Sequence, residues 1–405
     1  MNFFRDERGQ TSIMVAACLL CLCGMAGLAV DVGTLFRAKR ILQTAADAGA
    51  IAGTAELYYN DWESAAKAAA AQNGVTDGTN GYTVVAHNPP QSGAHTTSTK
   101  FVEVIATQAA PTFFMKLFHI TSMNVSARAV SGNGPGSSCI FTLDASGNDI
   151  GLSGSGDLNM PDCGILVNSA SSNALTISNN ANLTAQSIGI VGSYTGGTSG
   201  NLNPTPITGV APGADPLAFL PKPSFSTSSC LSDPHPNPGG GASVSLGPTV
   251  AGGTICYNGL SASGSGTVVL SPGVYVINGG FSQAGSVQIS GTDITVYLAA
   301  PNGSLSLTGS GALNLSAPTT GTYNGILFFE DPNDTNSMKV GGSNGSNLQG
   351  IFYAPNASLS LAGSSGASFY TDLVVSSLAL AGTNNLHNYA SVNPNTPLTA
   401  PRVVE

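Results

Sequence analysis

Charged side chains are scarce in this sequence. Asp, Glu, Lys and Arg make up 8% of its 405 residues, against about 25% in typical soluble domains. The shortage is local, since residues 1–134 hold nine acidic and nine basic side chains, whereas residues 135–405 hold twelve acidic and only three basic ones. Proteins bind the phosphates of nucleic acids through Lys and Arg, so residues 135–405 are not expected to bind nucleic acids. This region also lacks most of the groups that enzymes use, although apolar residues, at 42%, suffice for a folded core.

Sequence motifs for catalysis and for metal binding are also missing. The five histidines show no HxxxH or HxH spacing, and neither a GxSxG elbow nor a phosphate-binding loop occurs. The densest acidic group is Glu330, Asp331 and Asp334, which could hold Ca²⁺ but lacks the EF-hand spacing, so we interpret it as a solvated turn. Lys339 is the only basic residue near it in sequence. We therefore expect no enzyme activity, no cofactor and no metal site.

One long apolar run stands near the start of the chain. Residues 11–30 carry no charge, and Asp31 ends the run. At about 1.5 Å per residue, a helix of this length crosses a hydrocarbon core of about 30 Å. The alternative, a cleaved signal peptide, has a shorter apolar core of about 7–15 residues. We predict a cytoplasmic tail over residues 1–10 and a single transmembrane helix over residues 11–32, with the protein in the cell membrane.

The cysteines fall into two groups, of which the first lies inside the apolar run: Cys18, Cys21 and Cys23. The other four form two local pairs with gaps of 24 and 26 residues, and neither pair has the CxxC spacing of a zinc site. Because disulfides persist in oxidising compartments, we predict an extracytoplasmic C-terminal region, with free thiols as the alternative. The flanking Lys and Arg count favours the opposite orientation, but long C-terminal domains translocate largely regardless of charge. The predicted disulfides are Cys139–Cys163 and Cys230–Cys256.

The helical pattern continues beyond Asp31 in an Ala-rich stretch. Ala45, Gly49 and Gly53 follow one another at intervals of four, which places three small residues on one helix face. Such a face lets another helix approach closely. The alternative is that this helix packs on its own domain.

Three segments resemble the N-terminal part of TadE/TadG-like Flp pilus-assembly proteins. They are Arg8-Gly9-Gln10 before the apolar run, residues 29–33 (AVDVG) at its end, and residues 42–53 (LQTAADAGAIAG) beyond it. The resemblance covers roughly residues 5–58. It implies a bitopic envelope protein of the tight-adherence pilus system, with other pilus-assembly or envelope proteins as partners. The Asp-x-Ser-x-Ser motif of the von Willebrand A-type domain, which follows in some members, does not occur.

From about residue 134 onward, short alternating segments with Gly, Ser and Asn turns replace the helical pattern. Residues 300–310 recur as residues 354–364, an offset of 54, and residues 152–160 recur as residues 307–315. Similar short strands predict a parallel β-solenoid whose rungs bury a continuous apolar column, with an offset of two or three rungs. A β-sandwich of similar hairpins is the alternative. Ten prolines between residues 203 and 248 predict a long loop or insertion, or else an interdomain linker.

We therefore predict an α+β chain: the transmembrane helix continues into a helical α/β stalk domain (residues 33–134), and an all-β repetitive domain follows (residues 135–405), with a Pro-rich insertion at about 203–248. The predicted function is a membrane-anchored envelope protein that displays the solenoid for structural or adhesive interactions, with a glycan as a further candidate partner. The alternative is a glycan-active enzyme or glycan-binding module. An enzyme would need carboxylates about 5–9.5 Å apart, so these would have to converge: Asp144, Asp149, Asp157, Glu330, Asp331 and Asp334.

Overall fold

The computed structural model describes residues 10–57, 61–135, 138–153, 157–178, 180–196, 201–364 and 366–405. The predicted cytoplasmic tail lies outside these residues except for Gln10. The chain divides into two compact units, Met1–Gly134 together with Ala400–Glu405, and Pro135–Thr399. The last six residues thus group with the first unit, although they were predicted to belong to the β-rich domain. The solenoid is inserted between two segments of the first unit.

The described residues of the first unit form two α-helices and a four-stranded antiparallel sheet. No proline interrupts residues 10–55, so the apolar run and the Ala-rich stretch form one continuous helix. The core consists mainly of Ala and Val, which lets the helices lie close to each other and to the sheet. The elements are α1 (Gln10–Ala55), α2 (Trp62–Gln72), β1 (Tyr82–His87), β2 (Phe101–Pro111), β3 (Ser122–Pro135) and β28 (Thr399–Val403). The strand order in the sheet is β1-β2-β3-β28.

The N-terminal half of α1 exposes its large apolar side chains. Ile13 is 73% exposed and Leu20 is 75% exposed, which would be costly in water but suits lipid. Among the described residues, this helix is the one that is long and apolar enough to span a membrane.

The second unit is a parallel β-solenoid, as predicted. Every strand pair among its described residues runs parallel, which excludes the sandwich. Its strands are β4 (Ser138–Thr142), β5 (Ile150–Leu152), β6 (Asp157–Val167), β7 (Leu175–Ile177), β8 (Asn182–Ile190), β9 (Tyr194–Gly196), β10 (Leu202–Asn203), β11 (Ile207–Thr208), β12 (Ser243–Leu246), β13 (Thr254–Tyr257), β14 (Leu260–Ala262), β15 (Thr267–Leu270), β16 (Gly273–Ile277), β17 (Gly280–Gln283), β18 (Gln288–Gly291), β19 (Ile294–Leu298), β20 (Ser304–Leu307), β21 (Leu313–Ser316), β22 (Ile326–Glu330), β23 (Met338–Gly341), β24 (Asn347–Gln349), β25 (Ile351–Gly363), β26 (Ser368–Tyr370) and β27 (Leu373–His387).

Three faces surround the apolar core of the solenoid. Long strands such as β25 and β27 turn a corner and contribute to more than one face. The first face runs β13-β16-β19-β22-β25-β27-β4-β6-β8-β11. The second face runs β14-β17-β20-β23-β25-β27-β5-β7-β9. The third face runs β12-β15-β18-β21-β24-β26-β27-β6-β8-β10.

The sequence repeats correspond to stacked positions on the second face. Leu307 lies beside Val340, which in turn lies beside Leu361, so the offset of 54 residues equals two rungs. The same buried column continues through Leu380 to Leu152, which accounts for the second repeat. One column of branched apolar side chains therefore joins rungs that are far apart in sequence.

The order of rungs in space differs from their order in the chain. The chain enters the solenoid at β4, which pairs with β27, the last solenoid strand in sequence. It winds outward to β11, and residues 209–242 then carry it to the opposite end, where β12 begins. From there the rungs return to β27. The chain therefore enters and leaves the solenoid at neighbouring rungs.

Candidate functional site

The predicted small-residue stripe faces the interior of the first unit. Ala45 is fully buried. A Cβ atom at Gly49 would lie 2.9 Å from the carbonyl oxygen of Ala66 in α2, and one at Gly53 would lie 3.0 Å from a methyl group of Val102 in β2. The neighbours of the stripe are therefore this chain's own α2 and β2, which is the second of the two alternatives above.

A buried ion pair joins three parts of the first unit. Arg128 in β3 donates through Nε to the fully buried Glu103 in β2, and through Nη1 to Glu405, 3.0 Å away. Glu103 also accepts from the backbone N–H of Gln91 (3.0 Å) and from the hydroxyl of Ser92 (3.0 Å). Burial alone would raise the pKa of Glu103, but these donors together hold it below its usual value.

Residues 209–242 are here called the strap. Its first part crosses the rungs along the first face of the solenoid, and from Leu231 onward it pairs with the edge of the rung that contains β13 and β14. Lys222 binds Asp331 at 2.6 Å, and the Tyr353 hydroxyl donates to Asp215 at 2.8 Å. Near the far end of the strap, the backbone N–H of Ser261 donates to Asp233 at 3.0 Å. The predicted Pro-rich insertion is thus a packed element rather than a free loop.

The prolines of the strap supply acceptors where a rung has open donors. Proline has no N–H, so it cannot form both halves of a strand ladder, but its carbonyl oxygen still accepts. Alternate carbonyls accept from alternate backbone N–H groups of the neighbouring rung at 2.9–3.2 Å, in the pairs Pro234–Ser261, Pro236–Ser263 and Pro238–Ser265. The strap therefore satisfies an edge of the solenoid that would otherwise stay open.

Aromatic side chains form a ladder beneath the strap. Tyr297, Phe329 and Tyr353 lie on successive rungs, with ring centroids 5.0 and 5.2 Å apart, and all three are at most 2% exposed. Phe225 of the strap contacts Tyr297 edge-on at 6.3 Å. The first face is thereby buried on both sides, as in sheets covered on both faces.

The acidic group at residues 330–334 is buried, so its interpretation as a solvated turn is wrong. The Asp331 carboxylate accepts hydrogen bonds from the Lys222 ammonium group and from the Tyr297 hydroxyl. Burial alone would raise the pKa of Asp331, but these contacts and a backbone donor hold it below the usual value. Glu330 is fully buried in a column with Leu298, and its two carboxylate oxygens have no hydrogen-bond partner among the described residues. Burial, followed by the nearby charge of Asp334, raises the pKa of Glu330 to about 8.

The predicted acidic residues do not meet in one cleft. Thr142, which precedes Asp144, lies three rungs from Glu330 along the first face, or about 14 Å at a strand spacing of about 4.8 Å. Asp149 is buried and accepts from Thr142 (2.9 Å), and burial raises its pKa to about 7. Asp157 lies on the third face, where it accepts from Asn182. Glycosidase carboxylates lie about 5–9.5 Å apart, closer than the two groups on the first face.

Both predicted cysteine pairs lie at disulfide distance. The Cα atoms of Cys139 and Cys163 are 5.6 Å apart, and those of Cys230 and Cys256 are 4.5 Å apart. The first bond joins neighbouring rungs, and the second fixes the strap to β13. The Asp372 carboxylate lies within 4.8 Å of the Cys139 and Cys163 sulfurs, but a disulfide offers no thiolate to a metal.

An open groove of about 590 Å³ lies beside the first face. Its lining combines hydroxyl side chains and the carboxylate of Asp293 with glycine, proline and valine residues, and its size falls in the range of small-ligand sites. Its hydroxyl side chains are those of Thr254, Thr295, Thr319, Thr320, Thr322 and Tyr323.

Comparison with known families supports the resemblance in the N-terminal region. Residues 9–72 match the family model for Flp pilus-assembly proteins of the TadE/G-like type, and residues 42–131 match the model for Tad-like Flp pilus assembly. The N-terminal region carries Tad pilus-assembly domains. We therefore call the first unit the Tad unit. No curated protein and no solved structure matches the chain.

Three features of the sites were not predicted from the sequence. The base that reaches Asp331 is Lys222, 109 residues away, rather than the neighbouring Lys339. Glu405 joins the Tad unit, although the solenoid separates it from Arg128 in sequence. Only the high proline count signalled the strap, and a proline count does not reveal which face a segment covers.

We expect Gly49→Val to destabilise the Tad unit by about 1–3 kcal/mol, because the new side chain would overlap the Ala66 carbonyl and Val104. The matched control is Gly33→Val in the same helix, where a Cβ would meet nothing within 4 Å. The measurement is urea unfolding in detergent micelles, followed by fluorescence of Trp62, the only tryptophan. Equal effects of the two substitutions would contradict this packing.

Proposed function

We propose that this protein is a single-span envelope component of a Flp pilus-assembly system that displays its solenoid outside the cytoplasm for structural and adhesive contacts. The observation that carries the proposal is the Tad match over residues 9–131, which includes the apolar half of α1. The solenoid is inserted between β3 and β28 of that unit, so two covalent links hold it to the membrane anchor.

Two arguments support an extracytoplasmic solenoid. Both cysteine pairs are at bonding distance, and disulfides persist mainly in oxidising compartments. In addition, a C-terminal region of this length translocates largely regardless of the Arg and Lys residues that flank the span.

The second face is our candidate for the adhesive surface. Its outward column consists of small side chains with one long exception, Lys339. Small neutral side chains make a flat surface, and their hydroxyl groups can bond to a partner protein or to a glycan without desolvating a charge. The other members of the column are Ser261, Ser282, Ser306, Ser360, Ala379, Gly151, Thr176 and Thr195.

The glycan-active enzyme is the weaker candidate. Its carboxylates would have to act in pairs, yet Asp331 is held by Lys222 beneath the strap, and Asp149 is buried about three rungs away. The hydroxyl-lined groove favours binding of a polar ligand rather than its cleavage.

Orientation and adhesion can be tested with one pair of cysteine variants. Ser360→Cys lies exposed on the second face, and Asn314→Cys lies exposed on the third. In spheroplasts, we expect a membrane-impermeant maleimide to label both variants without lysis, because the solenoid lies outside the cytoplasm. The four native outer cysteines are oxidised and therefore give no background labelling. A bulky polyethylene glycol maleimide should reduce cell attachment only at Ser360→Cys.

Labelling that requires lysis would contradict the orientation, and four free thiols on non-reducing mass spectrometry would contradict the disulfides. If attachment falls equally with both variants, the second face is not the adhesive surface. A cytoplasmic protein with an exposed cysteine serves as the control for membrane integrity.

A further inference from the structure

An apolar turn projects from the Tad unit between β2 and β3. Four large side chains in it are largely exposed: Phe113 (59%), Phe114 (54%), Leu117 (82%) and Phe118 (75%). The turn is closed rather than loose, because the Thr112 N–H donates to the Thr121 carbonyl at 3.1 Å. An exposed apolar cluster on a well-fixed turn indicates a surface that contacts an apolar environment.

This turn is fixed beside the end of the apolar run of α1. The Asp31 carboxylate accepts from the backbone N–H groups of Phe113 (2.7 Å), Phe114 (3.0 Å) and Met115 (2.7 Å). The ring of Phe114 lies against Gly27, where an added Cβ would come within 2.7 Å of it. Glycine at position 27 therefore makes room for the ring.

The position of these contacts along α1 sets the depth of the turn. From Ser12 to Asp31 the helix rises about 28 Å, close to the hydrocarbon thickness of a bilayer, so Asp31 lies at its edge. Gly27 lies about 6 Å further inside, so the Phe114 ring that packs against it lies at about the same depth. Lys116 and His119, both exposed in the same turn, lie where side chains can reach lipid headgroups.

We propose that residues 113–120 insert into the bilayer leaflet in which the apolar part of α1 ends, as a second membrane contact of the Tad unit. The occupant of this apolar surface is lipid, because the surface continues directly into the lipid-facing side of α1. The inference rests on the proposed membrane-spanning role of α1. Its consequence is that two contacts, rather than one helix free to rotate, orient the Tad unit at the membrane.

The test uses the full chain with Trp62→Phe and one new tryptophan at a time. The positions are Leu117 in the turn, Leu20 in the middle of the apolar run, and Val85 as an exposed apolar control in β1. Each variant is reconstituted in vesicles of phosphatidylcholine and phosphatidylglycerol, with or without bromine on the acyl chains. We expect bromine to lower the fluorescence of Leu117→Trp and Leu20→Trp by about half, and to leave Val85→Trp unchanged.

The outcomes separate this inference from the proposed function. If Leu20→Trp is quenched and Leu117→Trp is not, the turn does not insert, and the inference is overturned while the span stands. If Leu20→Trp is not quenched either, the proposal that α1 spans the membrane is contradicted. A blue-shifted but unquenched Leu117→Trp would mean that a protein surface covers the turn, which would also overturn the inference.

Discussion

We expect Glu330→Gln to stabilise the solenoid by about 4 kcal/mol at pH 8 and to leave its stability unchanged at pH 4. The folded chain holds the Glu330 carboxyl in an apolar column without a hydrogen-bond partner among the described residues, which raises its pKa from 4.5 to about 8. Unfolding releases the proton between these two values, so stability falls as pH rises through this window. Gln has the same shape but cannot ionise. The substitution therefore removes the loss of folding stability at pH 8 and has no such effect at pH 4.

Urea unfolding in detergent micelles, followed by far-UV circular dichroism at both pH values, measures this effect. Asp293→Asn is the matched control, because Asp293 is exposed and its positive φ of 56° suits Asn as well as Asp. If Glu330→Gln changed the free energy of unfolding equally at pH 4 and pH 8, packing rather than ionisation would distinguish Glu from Gln at this position.

Two further carboxyl groups act in the same direction in the wild-type solenoid. Burial raises the pKa of both Asp149 and Asp372 to about 7. Each carboxyl group contributes most to folding stability at pH values below the usual pKa of Asp, and that contribution is lost as the pH rises through 7. The Tad unit should behave in the opposite way, since the lowered pKa values of Glu103 and Asp77 confer stability that is lost only in acid.

The sequence predicted those parts of the solenoid that one strand can reveal by itself. The alternation in β20 (SLSL) reflects one buried and one exposed side, and the Leu307 column follows from it. In β19 (ITVYL) both sides are buried, because the strap covers the outer one. Such a continuous apolar strand shows that something covers it but does not identify the covering segment.

The order of rungs and the remote partners were beyond sequence reasoning for a different reason. Similar rungs are compatible with many stacking orders, so nothing in β4 predicts that it pairs with β27. The sequence around Glu330 has the composition of a surface turn. Its neighbour Asp331 is held by Lys222 of the strap, and Glu330 itself is buried in a column with Leu298. Tertiary contacts across more than 100 residues decided both cases.

We expect Arg128→Ala to destabilise the Tad unit by about 3–5 kcal/mol, because it leaves the fully buried Glu103 carboxylate without its counter-charge. Lys67→Ala is the matched control. Lys67 pairs with Glu63 and Asp77 on the surface, where such pairs contribute less than about 1 kcal/mol. Trp62 fluorescence during urea unfolding in micelles reports the Tad unit selectively, because the solenoid contains no tryptophan.

The pH dependence of Arg128→Ala distinguishes lost charge pairing from lost packing. Without Arg128, burial raises the pKa of Glu103 and fewer donors oppose it, so the carboxyl takes up a proton in mild acid. The deficit relative to wild type should therefore shrink between pH 7 and about pH 4, whereas a packing defect would persist. Arg128 also holds Glu405, so its loss should loosen β28, the second of the two links between the solenoid and its anchor. A deficit that is constant with pH would show that Arg128 stabilises the sheet through its aliphatic stem alone.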